Sequence, residues 1–230
     1  MRKGVKMGLA AEVARQVAPK VTTIAPGMTE AFVRQALHRA ITGVGPLPGA
    51  ADAAESQLRE QHGDVDRAIK EVIENHVRYA GVEGLVTNLG GLVTAAVVAP
   101  ASISGLALVQ SRMVAGIAHL RGYDLDDPQV RNAVLVTLLG DDVVAKLVRT
   151  HRIPAPPVAL ATSLSYDPSQ DQIVANALAG ELIGRVVGKR MAATVGKKVP
   201  IVGGAVGMVA DGVSTWRVGR YADRQFLPHW

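Results

Sequence analysis

Between Asp64 and Ala80 the apolar residues fall at Val65, Ile69, Val72, Ile73, Val77 and Ala80. These steps of three and four trace one face of a helix. Asp64, next to Gly63, has a short carboxylate suited to capping that helix at its amino end. Upstream the same period predicts helices over 5–17 and 28–41, parted by Pro19 and Pro26. A Gly/Pro-rich turn over 43–49 and a polar helix over 50–61 follow.

The pattern then changes. Residues 84–111 form a run of 28 without one charged side chain. A run of 18 or more apolar residues suggests a membrane span. Here Asn88, Gly90, Gly91, Pro100, Ser102 and Ser104 interrupt it. Pro100 is expected to divide the run into two arms of about fourteen residues, each too short to cross a bilayer at ~1.5 Å per residue. The reading is a helical hairpin, buried in a bundle or inserted part-way into a membrane, in a protein soluble without detergent.

Downstream, Met113, Ile117 and Leu120 continue the second arm to a stop at Gly122. Asp127 and Pro128 suit an N-cap and a first helical position. Helices are expected over 128–139 and 141–150, then an extended connection over 153–167. Two further helices, 170–198 and 201–226, are divided by Pro200. The first has small residues every fourth position at Gly180, Gly184, Gly188, Ala192 and Gly196, a glycine zipper; the second has Gly203, Gly207, Thr215 and Gly219. Each mid-helix glycine costs up to ~1 kcal/mol, so a stripe of them implies close helix approach. The two stripes are expected to pack on each other.

Composition supports helices over strands. Apolar residues make up 48 % of the chain, yet only 3 % of residues are aromatic. Ala and Leu favour helix, and strands would call for more Ile, Thr and aromatic residues. The expected fold is therefore an all-α, multi-helix bundle with Gly/Ala-rich, close-packed helical hairpins. With no cysteine, disulfides and thiolate metal sites are excluded. No apolar leader follows Arg2, Lys3 and Lys6, which fits a cytoplasmic chain, peripheral on the inner face of the cell membrane.

Charge is uneven. The net charge is +5, and residues 182–230 hold eight basic side chains against Asp211 and Asp223. Anionic lipid headgroups suit such a segment. Nucleic acid is not expected, because aromatic stacking residues and binding motifs are lacking.

Three stretches carry a family resemblance. Gly84-Leu85-Val86-Thr87-Asn88-Leu89-Gly90-Gly91 opens the charge-free run; Ile117-Ala118-His119-Leu120-Arg121-Gly122-Tyr123-Asp124 meets Asp127-Pro128; Val199-Pro200-Ile201-Val202-Gly203-Gly204 leads to Arg217-Val218-Gly219-Arg220-Tyr221-Ala222. In this order they resemble the EcsC family of bacterial proteins, in a version rich in Val, Ala and Arg of the actinobacterial type. The resemblance covers about residues 45–228, which makes 1–44 an N-terminal helical extension and 45–230 the family-like helical domain. It implies a helical, cytosolic or membrane-associated protein, and it supplies no reaction and no catalytic residue.

Leu89, Leu92, Val93, Val97, Ile103 and Leu106, with Val206 and Val209, are the candidate apolar-ligand contacts. Arg185, Lys189, Arg190, Lys197 and Lys198 are the candidate headgroup contacts. Asp211, alone among apolar neighbours in sequence, is expected in a structural ion pair. Glu71, Glu74 and His76 lack the spacing of a zinc motif, and Glu74 with Arg78 reads as a surface salt bridge. Asp124, Asp126 and Asp127 lack the glycine and glutamate of a calcium loop. Ser163 and Ser165 sit in no nucleophile elbow. His119 is read as a cap or core histidine, and no phosphate-binding glycine loop follows a strand. No cofactor, no metal and no catalytic apparatus are expected. The leading reading is a non-enzymatic lipid-binding or peripheral membrane protein that holds or transfers lipid in an apolar cavity. The alternative is an interaction module for a membrane transporter or secretion complex.

Overall fold

The helical period becomes helix in a computed structural model that describes residues 26–43, 48–89, 95–181 and 203–229. The helices are α1 (Pro26–Thr42), α2 (Ala50–Glu60), α3 (Val65–Leu89), α4 (Ala95–Leu120), α5 (Pro128–Thr137), α6 (Asp141–Arg149), α7 (Pro157–Ala161), α8 (169–181) and α9 (Gly203–Gln225). No strand occurs among the described residues. The protein is all-α. The expected helix over 5–17 and the stretch 182–198 lie outside the described residues.

Local chemistry explains most helix limits. The Asp64 side chain accepts the Arg67 N–H at 3.0 Å, and Asp127 accepts that of Gln129 at 2.8 Å with Pro128 at the first helical position. Both caps satisfy an amide that the first turn leaves open. At the end of α4, Gly122 takes φ +90 and Tyr123 N–H donates back to the Ala118 carbonyl at 3.1 Å. A glycine adopts that left-handed turn without a Cβ clash.

The long α4 is the axis. It packs against α1, α2, α3, α5 and α9, and Met113, Val114, Ala115, Ile117 and Ala118 are fully buried. Over 113–118 the helix is covered by its neighbours and shows no polar stripe. The most extensive helix pair is α3 with α9. Phe226, just past α9, is also fully buried and meets Tyr123 edge-on at 5.3 Å.

Two expectations need correction. Pro100 lies inside α4, so it does not divide the charge-free run; α3 stops at Leu89 and α4 starts at Ala95. As the sixth residue of α4, Pro100 gives up the bond to the Ala96 carbonyl while its φ stays helical. The connection over 153–167 also contains a helix, α7, started by Pro157 and packed on α5 through buried Leu160 and Ala161.

Candidate functional site at the charge-free end of the bundle

Close contacts set the register of α3, α4 and α9. A Cβ at Gly219 would lie 2.9 Å from Ile73 Cγ1 and 3.1 Å from Met113 Sδ, so α9 meets both other helices without a side chain between. Gly212 sits beside Val77, and Val72 reaches Gly116. The buried Gln110 amide donates to the Thr215 hydroxyl at 3.2 Å. Arg121 bridges Asp66 and Asp223, each at 2.9 Å. These pairs make α3 antiparallel to both α4 and α9.

That topology has a consequence for charge. Glu83 is the last charged residue of α3, Arg112 the first of α4 and Asp211 the first of α9. Beyond them 84–89, 95–111 and 203–210 hold no ionisable side chain, and the antiparallel register brings all three to the same end of the bundle. At ~1.5 Å per residue the charge-free depth is ~10 Å on α3 and α9, and more on α4.

Exposed apolar side chains border this end. Tyr79 is 63 % exposed and Val213 44 %; Trp216, also exposed, stands further along α9, level with Ile73. Between α3 and α4 lies His76, buried, with Nδ1–H donating to the Val72 carbonyl at 2.7 Å and its ring edge-on to Tyr79 at 6.1 Å. Burial lowers the imidazole to about 4, and the nearby Arg112 charge pushes the same way. Its bond to the Val72 carbonyl opposes them without prevailing. The Arg112 guanidinium, partly buried, is itself held below its ordinary value by desolvation.

The backbone places Leu89, Val97, Ile103, Val206 and Val209 together on the charge-free ends, and Leu106 is partly buried on α4. Leu92 and Val93 lie outside the described residues, as do Arg185, Lys189, Arg190, Lys197 and Lys198 and most of the zipper. Gly180, the described member of that stripe, is exposed with open space where a Cβ would be. Among the described residues, Gly219 makes a close contact with α3 and α4. Sequence reading overlooked Tyr79, Arg112 and Trp216. Arg112 had a signal, being the first charge after the run; Tyr79 and Trp216 had none beyond being scarce aromatics.

The opposite end is held by ions. Arg121, 13 % exposed, joins the start of α3 to the end of α9, and its carbonyl accepts the His229 N–H at 2.9 Å. His119 Nε2 meets Glu55 at 3.1 Å and Arg224 meets Asp141 at 3.0 Å. Glu74 and Arg78 pair at 3.6 Å, as their spacing predicts. Between α3 and α9 runs a groove of about 430 Å³ with Ile69 and Ile73 beside Lys70, Glu74, Trp216 and Arg220. Among the described residues no group of His, Asp and Glu is arranged to hold a metal ion. No described helix is long and apolar enough to cross a membrane.

An all-α bundle built on one encircled apolar helix is the class that fold and site define. The EcsC protein family model matches residues 4–227, and the chain belongs to that family. No curated protein and no solved structure matches it.

Proposed function

We propose that the protein is a non-enzymatic, peripheral membrane-associated protein that dips the charge-free end of α3, α4 and α9 into one leaflet of a bilayer. The observation that supports this reading is the convergence of three charge-free helix ends on one end of the bundle. Chance spacing of charges along separate helices would scatter such segments. Glu83 lies six residues from the end of α3, ~9 Å. That depth matches the ~5–10 Å to which interfacial helices bury their apolar face, and a carboxylate resists going deeper. The exposed Tyr79 stands on the water side of the boundary, where an amphipathic ring is at home at a membrane surface. Lys197 and Lys198 precede Gly203 by six and five residues. At no more than ~3.6 Å per residue they stay within ~22 Å of that end, close enough to meet anionic headgroups. The groove between α3 and α9 has charged walls unsuited to an acyl chain, so the lipid in this proposal lies at the bundle end.

The chain has no cysteine, which makes a clean test available. Val97→Cys and Arg59→Cys are labelled separately with an environment-sensitive fluorophore and mixed with phospholipid vesicles. The expected result is a blue shift and intensity gain at position 97 and none at 59. No change at 97 with any vesicle overturns the proposal.

A further inference from the structure

The rim of the charge-free end holds a cation with no ion pair among the described residues. Arg112 is partly buried and has no carboxylate partner among the described residues. The more buried Arg121 has two. The other described arginines without an ion pair, Arg39, Arg149, Arg152 and Arg217, are exposed, where water solvates them. A guanidinium that has given up part of its hydration without gaining an anion is costly unless something brings the anion.

The register says what lies beside it. Asp66 against Arg121 and Val72 against Gly116 set Arg112 level with His76, one turn from Tyr79. Tyr79 is exposed, and its hydroxyl makes no hydrogen bond among the described residues. His76 is locked onto the Val72 carbonyl and braces the Tyr79 ring edge-on. The corner between α3 and α4 thus presents a planar five-donor cation and a free hydroxyl donor. Glu74, two residues before His76 on α3, is taken up by Arg78.

We propose that Arg112 and the Tyr79 hydroxyl form a binding site for the phosphate of a glycerophospholipid, entered when the bundle end meets the bilayer. The assignment rests on the membrane reading above and names the group recognised there. Tyr79 is four residues, ~6 Å, on the water side of Glu83, and Arg112 sits about one turn further out. The headgroup layer is ~5–7 Å thick on each side of the hydrocarbon core. With Glu83 at the edge of that core, Tyr79 falls inside the layer, and the Arg112 stem spans the remaining distance with its charge at the phosphates. Arg offers phosphate paired, charge-assisted hydrogen bonds that a lysine cannot duplicate. A neutral His76 adds no competing charge and leaves the phosphate to Arg112.

Two neutral lipids that differ in phosphate test this. Vesicles of phosphatidylcholine and of digalactosyldiacylglycerol are titrated into the full chain labelled at position 97. Wild type should bind the phospholipid about tenfold more tightly, the scale of one charge-assisted contact. Arg112→Gln should reduce the preference to within about twofold and Arg112→Lys retain part of it. Tyr79→Phe should weaken phospholipid binding by about threefold. Thermal melts confirm that each variant is folded, and the conservative lysine variant keeps the test decisive if the glutamine variant is not. If position 97 responds to neither lipid, the membrane reading itself fails. If it responds to both and Arg112→Gln keeps the wild-type preference, the phosphate site is wrong and the membrane reading stands. Calorimetry with inorganic phosphate and no vesicles should show no saturable binding at millimolar concentration. Saturable binding lost in Arg112→Gln, without any lipid preference, would mark a soluble-anion site and overturn the proposal.

Discussion

The two ends of the α3–α4–α9 bundle are built on opposite principles. At one end Arg121 gathers Asp66 and Asp223, His229 returns over α4, and Tyr123 is sandwiched between Phe226 and the stacked His229 ring 4.7 Å away. At the other, three helix ends carry no charge and are bordered by exposed Tyr79 and Val213. The contrast teaches where the fold holds its shape. Directional ion pairs and ring contacts specify one arrangement at the first end. The second end carries no ionisable side chain over 84–89, 95–111 and 203–210.

The strongest way to break this comparison is Phe226→Ala. Phe226 is fully buried under the Arg121 end, and removing a buried ring typically costs ~3–5 kcal/mol. Denaturant titration should show that loss, while the folded fraction keeps the vesicle response at position 97. A vesicle response lost along with stability would mean that the two ends are not separable.

Acid tests the boundary between the ends. His76 titrates at about 4 in the folded chain against an ordinary 6.5. Between those values the unfolded chain carries the extra proton, so stability is full above pH 6.5 and falls as pH drops toward 4. The loss approaches ~3 kcal/mol at ~1.4 kcal/mol per pH unit. His76→Gln should flatten that part of the stability–pH curve. An unchanged slope would show that His76 is not the group responsible.

Gly219→Leu probes the close approach that aligns the three helices. Its Cβ would already press on Ile73 and Met113, and overpacking of this kind costs ~1–3 kcal/mol. A melting temperature equal to wild type would deny that α9 depends on bare backbone at this point.

Smaller effects are expected from the ion and the cap. Arg121→Met leaves Asp223 with Arg220 at 3.4 Å and Asp66 in water, since Asp66 is 81 % exposed. The cost should be ~1–2 kcal/mol, below that of breaking a fully buried pair. High salt should shrink it. Asp127→Ala removes the 2.8 Å cap bond of α5 and should cost ~1 kcal/mol. It should leave vesicle binding unchanged, because α5 lies away from the charge-free end.

Much of the fold was legible along the chain because it depends on neighbours in sequence. The stripe from Val65 to Ala80, the caps at Asp64 and Asp127 and the stop at Gly122 are events of one or two turns, and each appears where its side chains require. Pro100 misled because it lies inside a helix, as the sixth residue of α4, where a proline was expected to end one. The partner of a glycine face is not written in its spacing. Spacing reveals that a face is small, whereas the helix that fills it is chosen by global packing, here Ile73 and Met113 against Gly219.

The candidate site divides along the same line. By itself the sequence determined that the chain is helical, that 84–111 is free of charge, and that Arg112 is the first cation after it. Those are properties of composition and order, which no fold can alter. Only the tertiary structure decided that the charge-free segments of α3, α4 and α9 end on the same side, and that Arg112 stands level with His76 and one turn from Tyr79. Register between helices is set by many weak contacts summed along their length, and no single residue announces it. A one-turn slip would move Arg112 ~5 Å along α3 while leaving every helix, cap and charge in the sequence as it was.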